Sequence, residues 1–378
     1  MLLLRARVLG ALLLAGCGAD SAPVPPPPPR PQPGLSSLRE DELAARRPPP
    51  EGPIRRGPYV QAVGSRSAVV CFELWQEAEG KVDCHGSSRR SRPGTRHEVL
   101  LEGLSPGTRY EYTVEPGGVT GSFKSSPEGD ADLFFLAWGD CRTYYDRLAR
   151  LSALAAKELP DFSVHTGDLV DEGTFPEDWD RFFDAAAPLL RTGALWPAMG
   201  NHEYEAKLYR DLFVLPEPKR YYTFVAGPAQ FFILDGDWAG RKDPAQVAWL
   251  KAGLTACRAR FRFVVLHQPI LSCPCEDYSP ETSLYRIFGR LIEEGKVTAV
   301  FQGHNHNYQR AERNGIVYLT TGGAGAPLYP VGSLTPETKF ARVVNHYVRV
   351  RLHDRTMSLE AVDLNGAVFD RDEKTLAP

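Results

Sequence analysis

Two stretches decide the fold: Leu133-Phe134-Phe135-Leu136-Ala137-Trp138-Gly139-Asp140 and Phe162-Ser163-Val164-His165-Thr166-Gly167-Asp168. Each is a short apolar run that closes on Gly-Asp. A continuous apolar run bounded by turn chemistry reads as a strand buried on both faces. Between the two, Leu148, Leu151, Ala155 and Leu159 recur at helical spacing, which predicts a helix from about Arg147 to Glu158. Strand, helix, strand is the unit of an α/β domain. Further strands are predicted at Phe231–Leu234, Phe263–Leu266, Ala299–Gln302 and Val317–Thr320.

Upstream the texture changes. From Gly57 to Thr113, runs rich in Val, Phe, Tyr and Leu alternate with Gly, Pro and Ser turns: Ala68–Leu74, Lys81–His85, Glu98–Leu101 and Tyr110–Val114. That spacing predicts a small antiparallel β-sandwich over 53–127. Leu104 to Tyr112 resembles the E–F corner of fibronectin type III-like domains, where a tyrosine hydroxyl bonds back to the backbone; its role is structural.

The first 52 residues carry no core. Arg5 and Arg7 precede an apolar run, Val8 to Ala15, too short to span a bilayer, so residues 1–16 read as a secretory signal. The run ends in Leu14-Ala15-Gly16-Cys17, which resembles a bacterial lipobox and implies lipidation of Cys17. The alternative is a soluble periplasmic protein cut near this point. Of the 32 prolines, 12 lie between Pro23 and Pro53, so residues 17–52 form a linker, at most about 100 Å long if fully polyproline-like. The expected location is the outer membrane or cell envelope, with the membrane reached through the lipid at Cys17. In an oxidising compartment the six remaining cysteines of the seven favour disulfides, with Cys71–Cys84 the leading pair on what read as neighbouring strands. Cys141, Cys257, Cys273 and Cys275 cannot be paired from sequence.

Composition narrows the classes further. Of the 378 residues, 43% are hydrophobic and 24% charged, which excludes wholesale disorder. The 44 basic and 47 acidic residues leave a net charge of −3, so no nucleic-acid-binding surface is indicated. Only one long apolar run exists, which excludes a polytopic membrane protein. No protein partner is predicted.

The second domain carries Gly139-Asp140, Gly167-Asp168-Leu169-Val170-Asp171, Gly200-Asn201-His202-Glu203, His267 and Gly303-His304-Asn305-His306. Any one of these is weak, since a lone Gly-Asp is an ordinary turn. Together, in this order, they resemble the five-part signature of the metallophosphoesterases (the calcineurin-like phosphoesterase superfamily). Arg56-Gly57-Pro58-Tyr59-Val60-Gln61, Asn307-Tyr308-Gln309-Arg310 and Thr320-Thr321-Gly322-Gly323-Ala324-Gly325 look like purple acid phosphatases with their N-terminal sandwich. The resemblance covers nearly everything from about Arg55 onward and implies that residues 130–372 fold as two mixed sheets flanked by helices, an αββα sandwich.

It also implies the chemistry. Phosphate ester hydrolysis needs a nucleophile at neutral pH and positive charge facing the developing oxyanions, and two metal ions supply both. By resemblance, Asp140 and His306 hold metal 1, Asp168 bridges, and Asn201, His267 and His304 hold metal 2. His202 contacts the phosphate and protonates the leaving alkoxide after attack of a metal-bound hydroxide. The expected substrate is a small phosphate monoester. A phosphodiesterase using the same centre, or a non-catalytic surface-binding module, are the alternatives.

Two positions depart from the family. Where purple acid phosphatases carry a tyrosine three residues after the second aspartate, this chain has Asp171. Where other metallophosphoesterases carry a histidine two residues after the first, it has Arg142. Metal 1 thus lacks one protein ligand, for which Tyr144, Tyr145 or water are candidates. Arg142 points either at the substrate phosphate or into a salt bridge with Asp171 or Glu172. The oxygen-rich metal 1 favours iron or manganese; metal 2 suits zinc, manganese or iron. His165 reads as a hydrogen-bonded histidine beneath the site, and His346, Tyr308 and Arg310 as structural. His85, His97 and His353 read as surface residues. Asp235 and Asp237 either line the pocket or occupy a solvated turn.

Overall fold

The computed structural model describes residues 52–204, 206–273 and 284–377. The expected signal segment, the lipobox-like stretch ending at Cys17, the expected linker and Cys275 lie outside them.

Strands β1 (Ile54–Gln61), β2 (Ser67–Cys84), β3 (Ser87–Glu102), β4 (Arg109–Glu115) and β5 (Val119–Lys124) form one antiparallel sheet. Their order is β1-β2-β4-β5, with β3 on the other edge of β2. The runs at Ala68–Leu74 and Lys81–His85, expected as two strands, are one. Register irregularities between Glu73 and Gly80 bend β2 without ending its ladder to β3. One strand therefore serves β1 at one end and β4 at the other. This corrects the expected Cys71–Cys84 disulfide: both thiols are buried and free, at opposite ends of one extended strand. At ~3.3 Å per residue that separation far exceeds the ~7 Å Cα limit for a bridge. His97, expected at the surface, is buried, stacked on Phe72 with its Nδ1 2.6 Å from Ser91 Oγ. At the corner before β4, the Ser105 N–H donates to the Tyr110 hydroxyl at 2.8 Å.

β1 also ties this sheet to the rest. The Tyr59 hydroxyl donates to Leu212 O at 2.6 Å, and its ring packs 4.6 Å from Phe183. Arg56 bridges Glu73 and Asp180 while donating to Pro176 O. The Arg56–Gln61 stretch is thus a docking seam.

Beyond it run β6 (Leu133–Trp138), β7 (Phe162–His165), β8 (Ala194–Pro197), β9 (Tyr222–Ala226), β10 (Ala229–Ile233) and β11 (Phe261–Val265). They are followed by β12 (Ala299–Gln302), β13 (Tyr308–Arg313), β14 (Ile316–Thr321), β15 (Thr338–Arg342), β16 (His346–His353), β17 (Thr356–Asp363) and β18 (Val368–Thr375). They make a six-stranded sheet, β18-β17-β16-β6-β7-β8, and a seven-stranded one, β15-β13-β14-β12-β11-β10-β9. Both are mixed: β6, β7 and β8 are parallel, as are β10, β11, β12 and β14, and the outer strands are antiparallel.

The period of two along each strand sorts the apolar residues into layers. Phe231, Phe263 and Phe301 meet Phe135 of the facing sheet at ring distances of 5.1, 5.6 and 5.8 Å. Their neighbours Phe232, Val264 and Val300 point the other way, into a second core with Leu250 and Leu254 of the helix Pro244–Ala256. On the outer face of the six-stranded sheet lie α1 (Tyr145–Ala156), which buries Leu148, Leu151 and Ala155, and α2 (Pro176–Leu190). α2 opens with proline at its first turn and Glu177 and Asp178 beside its N-terminus, where the helix dipole favours negative charge.

Candidate metal centre

The carboxyl ends of five parallel strands deliver the motif residues. Asp140 follows β6, Asp168 follows β7, Asn201 and His202 follow β8, His267 follows β11, and His304 and His306 follow β12. Open α/β sheets gather their ligands at such ends, where each strand hands its chain to a loop. Asp140, Asp168 and His304 have φ of 55°, 56° and 67°. A residue with a Cβ pays about 1–3 kcal/mol to sit in that region. The surroundings offset it: both Asp140 carboxylate oxygens accept the His304 N–H at 3.0 Å. A side chain on Gly200 would collide with Asp168, and one on Gly303 with Asp140.

Asp140, Asp168 and His306 present ligating atoms within 4.8 Å of one another, the metal-1 set plus the proposed bridge. His306 Nε2 lies 3.4 Å from Asp140 Oδ1, while its Nδ1 is 2.6 Å from Pro327 O. A second group adjoins the first. Asn201 Oδ1 lies 3.0 Å from His267 Nε2 and 3.1 Å from His304 Nδ1, and those two nitrogens are 3.2 Å apart. His267 Nδ1 is 2.8 Å from Thr166 O. A ring whose Nδ1–H is held by a carbonyl turns the Nε2 lone pair toward the site, the usual arrangement of a metal-binding histidine. Clustered imidazole nitrogens, a carboxylate and an amide oxygen are donors that suit borderline divalent cations, so the residues present fit the metal pair.

The carboxylates also favour positive charge in the centre. Burial opposes charge on His267, yet Asp168 and Asp140 override it and raise its pKa to about 10. Burial likewise opposes charge on Asp168, but His267 and His202 hold its carboxyl well below the usual range. His304, desolvated and beside His267, is depressed to about 3 and stays neutral.

The two oxygens of Asp168 face different partners. Oδ1 lies 3.3 Å from His267 Nε2 and accepts the His202 N–H at 3.1 Å. Oδ2 lies 3.5 Å from Arg142 Nε and 3.9 Å from His202 Nε2. The His202 ring is aimed by its Nδ1, 2.7 Å from the Asp171 carbonyl oxygen. Arg142 Nη1 stands 3.6 Å from Asp171 Oδ1, so of the two salt bridges weighed from sequence, the one to Asp171 forms. Glu172 instead accepts from the Thr174 hydroxyl.

Other sequence candidates take different places. Tyr144 is exposed with Arg147 over its ring at 4.1 Å, and the Tyr145 hydroxyl is buried at the start of α1. His165 is buried beneath the centre, its Nδ1 accepting the Gly167 N–H and its Nε2 3.4 Å from Cys141 Sγ. Asp235 neither lines a pocket nor occupies a solvated turn: it is fully buried and paired with Arg220 at 2.8 Å. Tyr308 and Arg310 both hold Asp370. Cys273 is buried and free.

Three residues that sequence reasoning passed over matter here. The Glu203 carboxylate accepts N–H groups from Asp168, Leu169 and Gly200. Asp171, weighed in sequence only as the place of a missing tyrosine and as a partner for Arg142, also accepts the Thr143 N–H at 2.9 Å and, through its carbonyl, orients His202. Tyr329 stacks on His306 with ring centres 4.1 Å apart. Glu203 was visible as the fourth residue of its motif; Tyr329, outside every motif, gave no signal.

Residues 126–308 match the calcineurin-like phosphoesterase family. The matched span contains every candidate ligand. The chain is 26% identical over 287 residues to purple acid phosphatase 23 of Arabidopsis thaliana, covering 61% of this chain and 63% of that protein. It is 24% identical over 347 residues to a protein named "Probable inactive purple acid phosphatase 1" of the same plant, covering 74% of this chain and 55% of the relative. The chain thus spans less than two thirds of these relatives. A solved purple acid phosphatase from yellow lupin (Lupinus luteus) seeds shares the fold, with a TM-score of 0.73, 19% identity, and coverage of 86% of this chain and 74% of that one.

Proposed function

We propose that this protein is an exported, lipid-anchored phosphatase that hydrolyses phosphate monoesters at a pair of metal ions. The observation that carries this is the division of Asp168: Oδ1 turns toward His267 of the metal-2 group, and Oδ2 toward Arg142 and His202. A bridging carboxylate with a guanidinium and an imidazole on one side fits a tetrahedral oxyanion at that side.

Asp140 and His306 would hold one ion, Asp168 both, and Asn201, His267 and His304 the other. When bound, the pair supplies an activated water and the positive charge that phosphoryl transfer requires. Iron or manganese in the first position and zinc, manganese or iron in the second suit these donors. Arg142 would grip the phosphate oxygens by its planar fork. His202, with Nδ1 tied to the Asp171 carbonyl, keeps Nε2 toward the substrate, where it would donate a proton to the leaving oxygen.

Leu14-Ala15-Gly16-Cys17 supports export and lipid attachment at Cys17, with the proline-rich residues 17–52 holding the catalytic unit away from the membrane. Incubation of the metal-loaded protein with para-nitrophenyl phosphate and its bis ester tests the chemistry: faster phosphate release from the monoester is expected, and a preference for the diester overturns the monoesterase. Cys17→Ser is expected to move the protein from the membrane fraction to the soluble fraction.

A further inference from the structure

Among the described residues, the aromatic side chains that stay exposed are Tyr144, Phe175, Tyr204 and Tyr329. All four stand on loops of the candidate centre. Tyr144 follows Arg142, Phe175 follows Asp171, Tyr204 follows His202, and Tyr329 covers His306. Hydrogen bonds join these loops: Thr143 N–H to Asp171, and Gly173 N–H to His202 O at 2.8 Å. The other described Phe, Tyr and Trp rings are buried at least in part, so partly exposed rings gathered around a polar centre point to a ligand there.

Tyr204 is the most telling. Its backbone sits at φ 49°, ψ 32°, a conformation that bulky residues avoid and that glycine or asparagine would fill without strain. There its ring stands edge-on to His202, with centres 6.0 Å apart. A leaving oxygen that takes a proton from His202 must come within about 3 Å of Nε2, which sets the carbon skeleton of the alcohol beside the Tyr204 ring. The Tyr329 ring lies nearly parallel to His306, at 19°, with the Arg142 guanidinium acting on its hydroxyl. Each ring thus stands beside a histidine of the candidate centre, Tyr204 at His202 and Tyr329 at His306.

We propose that Tyr204 and Tyr329 clamp the organic half of the substrate, and that the preferred esters are those of alcohols carrying a flat aromatic group. This rests on the phosphatase reading above and narrows its substrate class. A simple aryl group and a nucleobase share the required chemistry, a planar π system that stacks at 4.5–7 Å.

The test uses pairs that differ only in the ring. Benzyl phosphate and cyclohexylmethyl phosphate share a primary leaving alcohol, as do adenosine 5′-monophosphate and ribose 5-phosphate. For the metal-loaded full chain, kcat/KM is expected to favour the aromatic member by roughly tenfold, and Tyr204→Leu and Tyr329→Leu each to shrink that ratio about three- to tenfold. Tyr204→Phe and Tyr329→Phe, which keep the rings, are expected to preserve it. A larger preference in the adenosine pair than in the benzyl pair identifies the nucleobase as the ring; equal preferences identify a simple aryl group. A ratio near one in both pairs, or one that survives both leucine substitutions, overturns the clamp. Calorimetric binding of benzylphosphonate against cyclohexylmethylphosphonate separates the two readings. Preferential binding of the aromatic phosphonate, lost in the leucine variants, without phosphate release from any ester, sustains the clamp and sinks the phosphatase. No preference and no turnover sink both.

Discussion

Glu203 Oε2 accepts the backbone N–H of Asp168 at 3.0 Å. The same oxygen takes the Gly200 N–H at 2.6 Å, and Oε1 takes that of Leu169 at 2.8 Å. One buried carboxylate thus laces the loop after β7 to the loop after β8, fixing Asp168 relative to Asn201 and His202. Burial and the nearby Asp168 charge raise its pKa, against which these amides stabilise the ionised form.

Glu203→Gln replaces one acceptor oxygen with an amide that opposes an N–H donor. The expected cost is about 1–3 kcal/mol of stability, the usual consequence of leaving buried donors unmatched. Thermal unfolding reads the loss, and elemental analysis is expected to show weakened retention of both ions, because both loops lose their tether.

His202→Ala should keep the metals, since the ring ligates neither group, and lose turnover by roughly 10²–10⁴. Metal content together with kcat separates this from a structural defect. Full activity in the variant would remove His202 from the proton path.

Asp168→Asn should weaken both ions together, because the Asp168 carboxylate adjoins both the Asp140–His306 group and His267. Loss of a single ion on titration with a chelator would argue that it does not bridge.

Arg142→Lys keeps the charge but loses the planar fork. KM for a phosphate monoester is expected to rise about tenfold or more, with inorganic phosphate inhibiting less well. Unchanged KM and product inhibition would place Arg142 in a purely structural pair with Asp171.

Arg220→Met strips the partner from the buried Asp235, at an expected cost of about 3–5 kcal/mol at pH 7. In the parent protein, burial raises the Asp235 pKa to about 6 against the pull of Arg220. A carboxyl raised above its unfolded value binds its proton more tightly in the native state. Its contribution is therefore full below the unfolded value near 4 and lost as pH rises through about 6. The Arg220→Met defect should accordingly be smaller at pH 5 than at pH 7, as read by chemical denaturation at both.

The sequence alone determined the strands that end in Gly-Asp and the order of the ligand motifs. The boundaries of β6 and β12 were legible to the residue, because uninterrupted apolar runs closing on turn chemistry leave few alternatives. The bend that fuses two expected strands into β2 was not legible, nor was the free state of Cys71 and Cys84: register irregularities and strand identity depend on which neighbour pairs where. Only the tertiary structure decided that Asp171 aims His202 and that Asp235 is paired inside the protein. It alone laid Tyr329 over His306. Those roles arise from contacts between residues far apart in the chain, and local patterning specifies which way a side chain faces but not what it meets there.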